Sequence, residues 1–119
     1  GGAIVNTGSA VAARSWKGHG VYGAAKAGVL RMTEVAALDY ADKNIRVNAV
    51  LPGVTWTGLV PQAASIPVPP KDAFVPPGTP LNRWGLASDI AAAALFLASD
   101  EAAFITGVSL PVDGGYVAA

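Results

Sequence analysis

The chain has 119 residues, enough for one domain, with 52% hydrophobic and only 13% charged residues and a formal net charge of zero. Average proteins carry about 25% charged residues, so much of this chain should be buried. Basic runs are absent, which argues against nucleic acid or an anionic membrane as partners, and the lack of cysteine excludes disulfides and thiolate metal sites and fits a reducing, cytoplasmic setting.

From the N-terminus, Ala3-Ile4-Val5 followed by Asn, Thr, Gly and Ser predicts a buried strand and a turn. Residues 10–20 predict a loop with Gly18 and Gly20 as breakers, and Val21 to Asp42 a long helix. Ile45 to Leu51 predicts a second strand, stopped by Pro52-Gly53. Residues 54–85 are rich in Pro, Gly and Ala, and a connection of that length is expected to be a lid or a binding segment. Ser88 is the expected N-cap of a second, apolar helix, with Asp89 in its first turn. A short turn ending at Gly107 and a final strand, leaving through Asp113-Gly114-Gly115, complete the chain.

The order β-α-β-loop-α-β predicts an α/β fold with a parallel sheet covered on both faces and right-handed crossovers. Three strands fall short of a doubly wound sheet, so the expectation is that half of the domain is absent from residues 1–119. No membrane span is expected. The uncharged stretch from Val47 to Pro70 is broken repeatedly by proline and glycine, and Ile90 to Ala98 is about half of the roughly 20 residues a span needs. No signal peptide is visible.

The chemistry centres on Tyr22 and Lys26. Four residues apart, they share one helical face near the start of the first helix. An ammonium near a phenol favours phenolate, and a phenol so tuned exchanges a proton with an alcohol or carbonyl oxygen. Ser9, at the carboxyl end of the first strand, is placed to hydrogen-bond that same oxygen. Alcohol oxidation or carbonyl reduction also needs a hydride partner, which no side chain supplies, so a nicotinamide cofactor is implied. By itself a Tyr-x-x-x-Lys pattern also describes a satisfied core tyrosine beside a snorkelling lysine.

The joint pattern is sharper. "IVNTGS", "YGAAKAG", "IRVNAVLPG", "RWGLASDIAAAALFLASD", "ITG" and "VDGGY" follow one another along the whole chain. In this order they resemble the C-terminal half of the single-domain short-chain dehydrogenases/reductases. The resemblance implies a Rossmann-like doubly wound sheet of which only the C-terminal half is present, with NAD or NADP as cofactor. It implies that Ser9 orients substrate, that Tyr22 is the general acid/base, and that Lys26 binds the nicotinamide ribose and assists Tyr22. Pro52-Gly53 then lies beside the nicotinamide, with backbone groups of Val54 and Thr55 and the Thr57 hydroxyl at its carboxamide. A homo-oligomer, dimer or tetramer, is implied as well. The family's Gly-rich pyrophosphate loop, its NAD/NADP-selecting residue and its further catalytic Asn have no counterpart here, so residues 1–119 alone are expected to be inactive. Gly8 stands where the family more often has Ser.

Other residues are read beside these. Trp16 and Trp56 are candidate substrate contacts, and Trp56 with Trp84 candidate parts of a lid. His19 reads as an ordinary loop histidine in preference to a substrate contact. The Pro-rich "PVPPKDAFVPPGTP" reads as a semi-rigid substrate loop in preference to an SH3-type ligand. The substrate expected is a small secondary alcohol or ketone. The rival readings are a binding or assembly protein without turnover and a sugar-nucleotide epimerase. The absence of an additional C-terminal substrate domain after "VDGGY" counts against the epimerase.

Overall fold

A computed structural model describes residues 1–119. A parallel three-stranded sheet forms its centre, built from β1 (Gly2–Thr7), β2 (Ile45–Pro52) and β5 (Ser109–Val112) in the order β1-β2-β5. The register pairs Gly2 with Ile45 and Thr7 with Val50, then Ala49 with Ser109 and Pro52 with Val112. Two helices complete the core, α1 (Gly20–Asp39) and α2 (Ala87–Ala98). The α/β class and the parallel sheet expected from the sequence are present.

β2 is buried along both faces, with Val47, Asn48, Ala49, Val50 and Leu51 at or below 1% exposure. Side chains alternate across the sheet, so the two helices can be assigned to opposite faces. Asn6, in register with Ala49, donates to Thr33 of α1 at 3.0 Å. Arg46, of opposite parity, reaches three carbonyls at the end of α2 and just beyond it: Leu97 at 2.8 Å, Ser99 at 2.9 Å and Ile105 at 3.2 Å. A guanidinium there satisfies carbonyls the helix leaves unpaired and complements its dipole. Asn48 works on the same segment. Its amide donates to the Ile105 carbonyl and its oxygen accepts from Val108 N–H, both at 3.0 Å. This pair sets the approach of the chain into β5.

Several boundaries differ from the sequence expectation. α1 ends at Asp39, and a 3₁₀ turn, Ala41–Lys43, comes next, closed by Asn44 at φ 54°. Asparagine tolerates this left-handed conformation, which halts the helix before β2. Ser88 is inside α2 and does not cap it. β4 (Gly85–Leu86) runs directly into the helix, and Asp89 accepts the Leu86 N–H at 2.8 Å, so Leu86 occupies the cap position. The loop expected over 54–85 is pinned at both ends. β3 (Thr55–Trp56) pairs in parallel with β4, a second small sheet.

Between β3 and β4 the segment has one 3₁₀ turn, Pro61–Ala64. Tryptophans hold it. Trp56 meets Trp84 edge to face at 5.2 Å, Trp56 Nε1 donates to the Ile66 carbonyl at 2.7 Å, and Trp84 Nε1 donates to the Phe74 carbonyl at 2.9 Å.

The accessible surface is 7339 Å², against about 6,000 Å² for a compact monomer of this mass. Apolar side chains account for part of the excess: Val21, Leu38, Leu95 and Phe104 are all more than two-thirds exposed. β1 and β5 each pair only with β2, so both edges of the sheet are open. No helix is long and apolar enough to cross a membrane.

Candidate active site

Gly8 N–H donates to the Val50 carbonyl at 2.8 Å, which carries the chain one residue past β1. A Cβ at Gly8 would lie 2.8 Å from a Leu51 methyl and 3.3 Å from one of Leu30, so the position is tight. Ser9 then turns the chain. Its backbone is extended, and its hydroxyl accepts the Val11 N–H at 3.2 Å, capping a 3₁₀ turn over Ala10–Ala12. Ser9 is 7% exposed and lies at the carboxyl end of the strand, as expected.

Residues 13–19 loop back to start α1, with Gly18 at φ 88°. Tyr22 is in the first turn of that helix and half exposed. Ser9 and Tyr22 line one cleft of about 310 Å³, together with Pro52, Gly53 and Val54 at the carboxyl end of β2. Lys26, one turn further along α1, directs its ammonium to the Thr7 carbonyl at 3.3 Å, and the nitrogen lies 5.9 Å from the centre of the Tyr22 ring. The geometry thus brings together Ser9, Tyr22, Lys26 and the Pro52–Val54 turn.

That turn is tightly built. A Cβ at Gly53 would lie 2.7 Å from the Asp113 Cα, so only glycine lets the exits of β2 and β5 approach this closely. The Val54 carbonyl accepts the Gly85 N–H at 2.9 Å, while the Val54 N–H takes no part in the chain's own hydrogen bonds. It is a free donor on a residue that lines the cleft. Thr55 donates from Oγ1 to the Gly53 carbonyl at 2.9 Å, and the Thr57 hydroxyl accepts a long 3.4 Å bond from Leu59 N–H.

The tryptophans separate. Trp16 lines the cleft. Trp56 does not: it is 7% exposed, turned into the packing of the 57–84 segment, with its indole N–H already bonded. Four cleft residues were not singled out in the sequence, Ala10, Val11, Leu59 and Tyr116, and a fifth, His19, had been weighed as a substrate contact and read instead as ordinary loop. The usable signal for Tyr116 was its place after the β5 exit, since β5 runs beside β2 and ends at the same edge. Gly114 at φ 62° and Gly115 at φ 96° turn the chain back, and the Asp113 carboxylate accepts Gly115 N–H at 2.9 Å and Val117 N–H at 2.8 Å. No serial spacing relates Tyr116 to residue 14 or 16.

A second cleft, about 350 Å³, lies between the long loop and the β5 exit and holds Arg83 and Asp89. These two form an ion pair at 3.0 Å. The Arg83 hydrogen bond, then the Leu86 N–H, holds the Asp89 carboxyl below its ordinary value. Asp89 correspondingly raises Arg83. Both charges serve the start of α2.

The family described as Enoyl-(Acyl carrier protein) reductase matches residues 1–117. A cis-4-hydroxycyclohexanecarboxylate dehydrogenase of Sinomonas cyclohexanicum is 44% identical over 98% of this chain and 45% of its own. A 3-oxoacyl-(acyl-carrier-protein) reductase of Thermotoga maritima is 40% identical over 98% of this chain and 46% of its own. The structure of a short-chain type dehydrogenase/reductase from Mycobacterium ulcerans superimposes with a TM-score of 0.85 at 34% identity, over 99% of this chain and 42% of that one. The chain therefore spans a little under half the length of these relatives. With the family match over residues 1–117 and the superposition on a solved relative along nearly the whole chain, the chain belongs to the short-chain dehydrogenase/reductase family.

Proposed function

We propose that the full-length protein carrying this chain is an NAD(P)-dependent oxidoreductase that interconverts a secondary alcohol and a ketone. The observation that carries the proposal is the convergence of Ser9, Tyr22 and the Pro52–Val54 turn on one cleft, with the Lys26 ammonium beside the tyrosine ring. Relatives named for both directions of such chemistry, a dehydrogenase and a ketoacyl reductase, support the general class.

The Tyr22 hydroxyl exchanges a proton with the substrate oxygen. Ser9 Oγ, already accepting from Val11 N–H, has its own proton free to donate to that oxygen and fix its position. Lys26 places positive charge beside the Tyr22 ring. A nicotinamide fits the residues present: the free Val54 N–H is a donor for a carboxamide oxygen and Pro52 and Gly53 line the cleft beside it, whereas Thr55 and Thr57, expected at the carboxamide, lie outside the lining, the Thr55 hydroxyl being turned to the Gly53 carbonyl. Bound there, it would supply or accept the hydride.

The test is to express the complete reading frame and follow nicotinamide absorbance with a panel of ketones and secondary alcohols, beside Tyr22→Phe. Turnover that collapses in the variant supports the proposal. Turnover that survives it would sink the mechanism. Nicotinamide binding without turnover would favour the non-catalytic binding role. The same reading takes the protein as a homo-oligomer, and the exposed Leu38, Leu95 and Phe104 are its support. Sedimentation of the full-length protein tests that part.

A further inference from the structure

We propose that Tyr116 is a positioning and specificity residue, which clasps the 14–16 segment so that Trp16 and Tyr116 form an apolar aromatic wall selecting an uncharged ring-bearing alcohol or ketone. Three contacts make the clasp. Arg14 Nη1 donates to the Tyr116 carbonyl at 2.8 Å, the Arg14 guanidinium stands 4.6 Å from the ring centre, and Tyr116 Oη donates to the Ser15 carbonyl at 3.3 Å. They join residues about a hundred positions apart and bury Tyr116 to 8% exposure. Trp16 lies 5.8 Å from Tyr116 at a 31° tilt, and His19 lies 5.5 Å from Trp16. His19 in turn meets Tyr22 edge-on at 5.8 Å, so the wall is continuous with the catalytic phenol.

The cleft's chemistry sets the ligand class. The residues of this chain that line it carry no carboxylate, ammonium or guanidinium. Arg14, the nearest cation on the clasp, is already engaged by the Tyr116 carbonyl and ring. A charged substrate head would lose its hydration there without a partner. Flat aromatic surfaces make more contact with a ring than with a short flexible chain, and a ring loses less conformational freedom on binding.

Ring selection at this wall rests on the oxidoreductase reading only for the chemical step after binding, so binding itself supplies a separate readout. Full-length protein labelled with ¹⁵N is titrated with cyclohexanone and with 2-butanone, and the Trp16 indole resonance is tracked, identified by its loss in Trp16→Phe. A saturable shift is expected, with Kd for cyclohexanone about tenfold or more below that for butanone. Tyr116→Leu should shrink that ratio to about threefold or less, mainly through KM where turnover is measured, while Tyr116→Phe, which keeps the flat ring, retains it. Unmoved Trp56 and Trp84 indole resonances certify the fold. Should Tyr116→Leu not fold, Arg14→Met, which frees the same clasp, must narrow the ratio.

Equal affinity for the two ketones would overturn the inference and leave the oxidoreductase reading standing. So would a Tyr116→Leu that depresses kcat alike for both with the ratio intact. A saturable, ring-selective Trp16 shift without turnover would sustain the inference and sink the oxidoreductase reading.

Discussion

Lys26 stands one turn along α1 from Tyr22, with its ammonium 5.9 Å from the centre of the phenol ring and 3.3 Å from the Thr7 carbonyl. Helical spacing puts both residues on one face, and the strand carbonyl sets where the long lysine chain ends. Lys26→Met removes the charge and keeps most of the bulk. Turnover in the full-length protein should fall by roughly 10²–10⁴-fold, the range general acid–base contributions span. Nicotinamide affinity should weaken alongside. An active Lys26→Met enzyme would remove lysine from the mechanism.

Arg46 joins β2 to the end of α2 through three carbonyls. Arg46→Met should destabilise the protein by at least about 1.5–3 kcal/mol, the range for a hydrogen bond to a charged group. Arg46→Lys should recover only part of this, because a lysine lacks the planar fork. The urea midpoint of the three proteins measures the order.

For Asn48, fully buried with both amide ends bonded, Asn48→Leu leaves the Val108 N–H stranded. The expected loss is about 1–3 kcal/mol. The midpoint should move with little change in the denaturant slope. An unchanged midpoint would mean that another acceptor replaces the side chain.

Trp56 separates a structural role from a substrate role. Trp56→Ala should cost about 3–5 kcal/mol and speed proteolysis within residues 57–84. Trp56→Phe loses the bond to the Ile66 carbonyl and some of the packing on Trp84 but keeps an aromatic ring there, and should leave KM close to wild type. A large KM change in Trp56→Phe, with stability intact, would return Trp56 to the substrate contacts.

The Arg83–Asp89 pair predicts a pH effect of known sign. Arg83, then the Leu86 N–H, lowers the Asp89 carboxyl from its ordinary 3.8. A depressed carboxyl contributes stability above its unfolded value and loses it as pH falls through the folded one. Asp89→Asn should therefore lower Tm at neutral pH, and the gap should close as pH falls below 3.8 and through the folded value. The pair is exposed, so the difference should be small and shrink with added salt.

The elements that carry the proposed chemistry were legible because they depend on local patterns. An apolar run ending in Gly8-Ser9 and the Pro52-Gly53 stop place two strand exits at one edge of a parallel sheet. Tyr22 and Lys26 share a face by helical spacing alone. The ends of α1 and α2 were less legible, since Asn44 in a left-handed turn and Leu86 at a cap position depend on what the neighbouring segments bond. Two-residue strands such as β3 and β4 are too short to have a period.

By itself the sequence determined the α/β class, the order of the main elements, and the placement of Ser9, Tyr22 and Lys26 at one end of the sheet. Those features are set within a few residues by alternation, helical spacing, glycine and proline. Only the tertiary structure decided that Trp16 faces the cleft while Trp56 holds the loop, and that Tyr116 closes back onto Arg14 and Ser15. Those contacts join residues far apart along the chain, and such pairs leave no periodic trace for a linear reading to find.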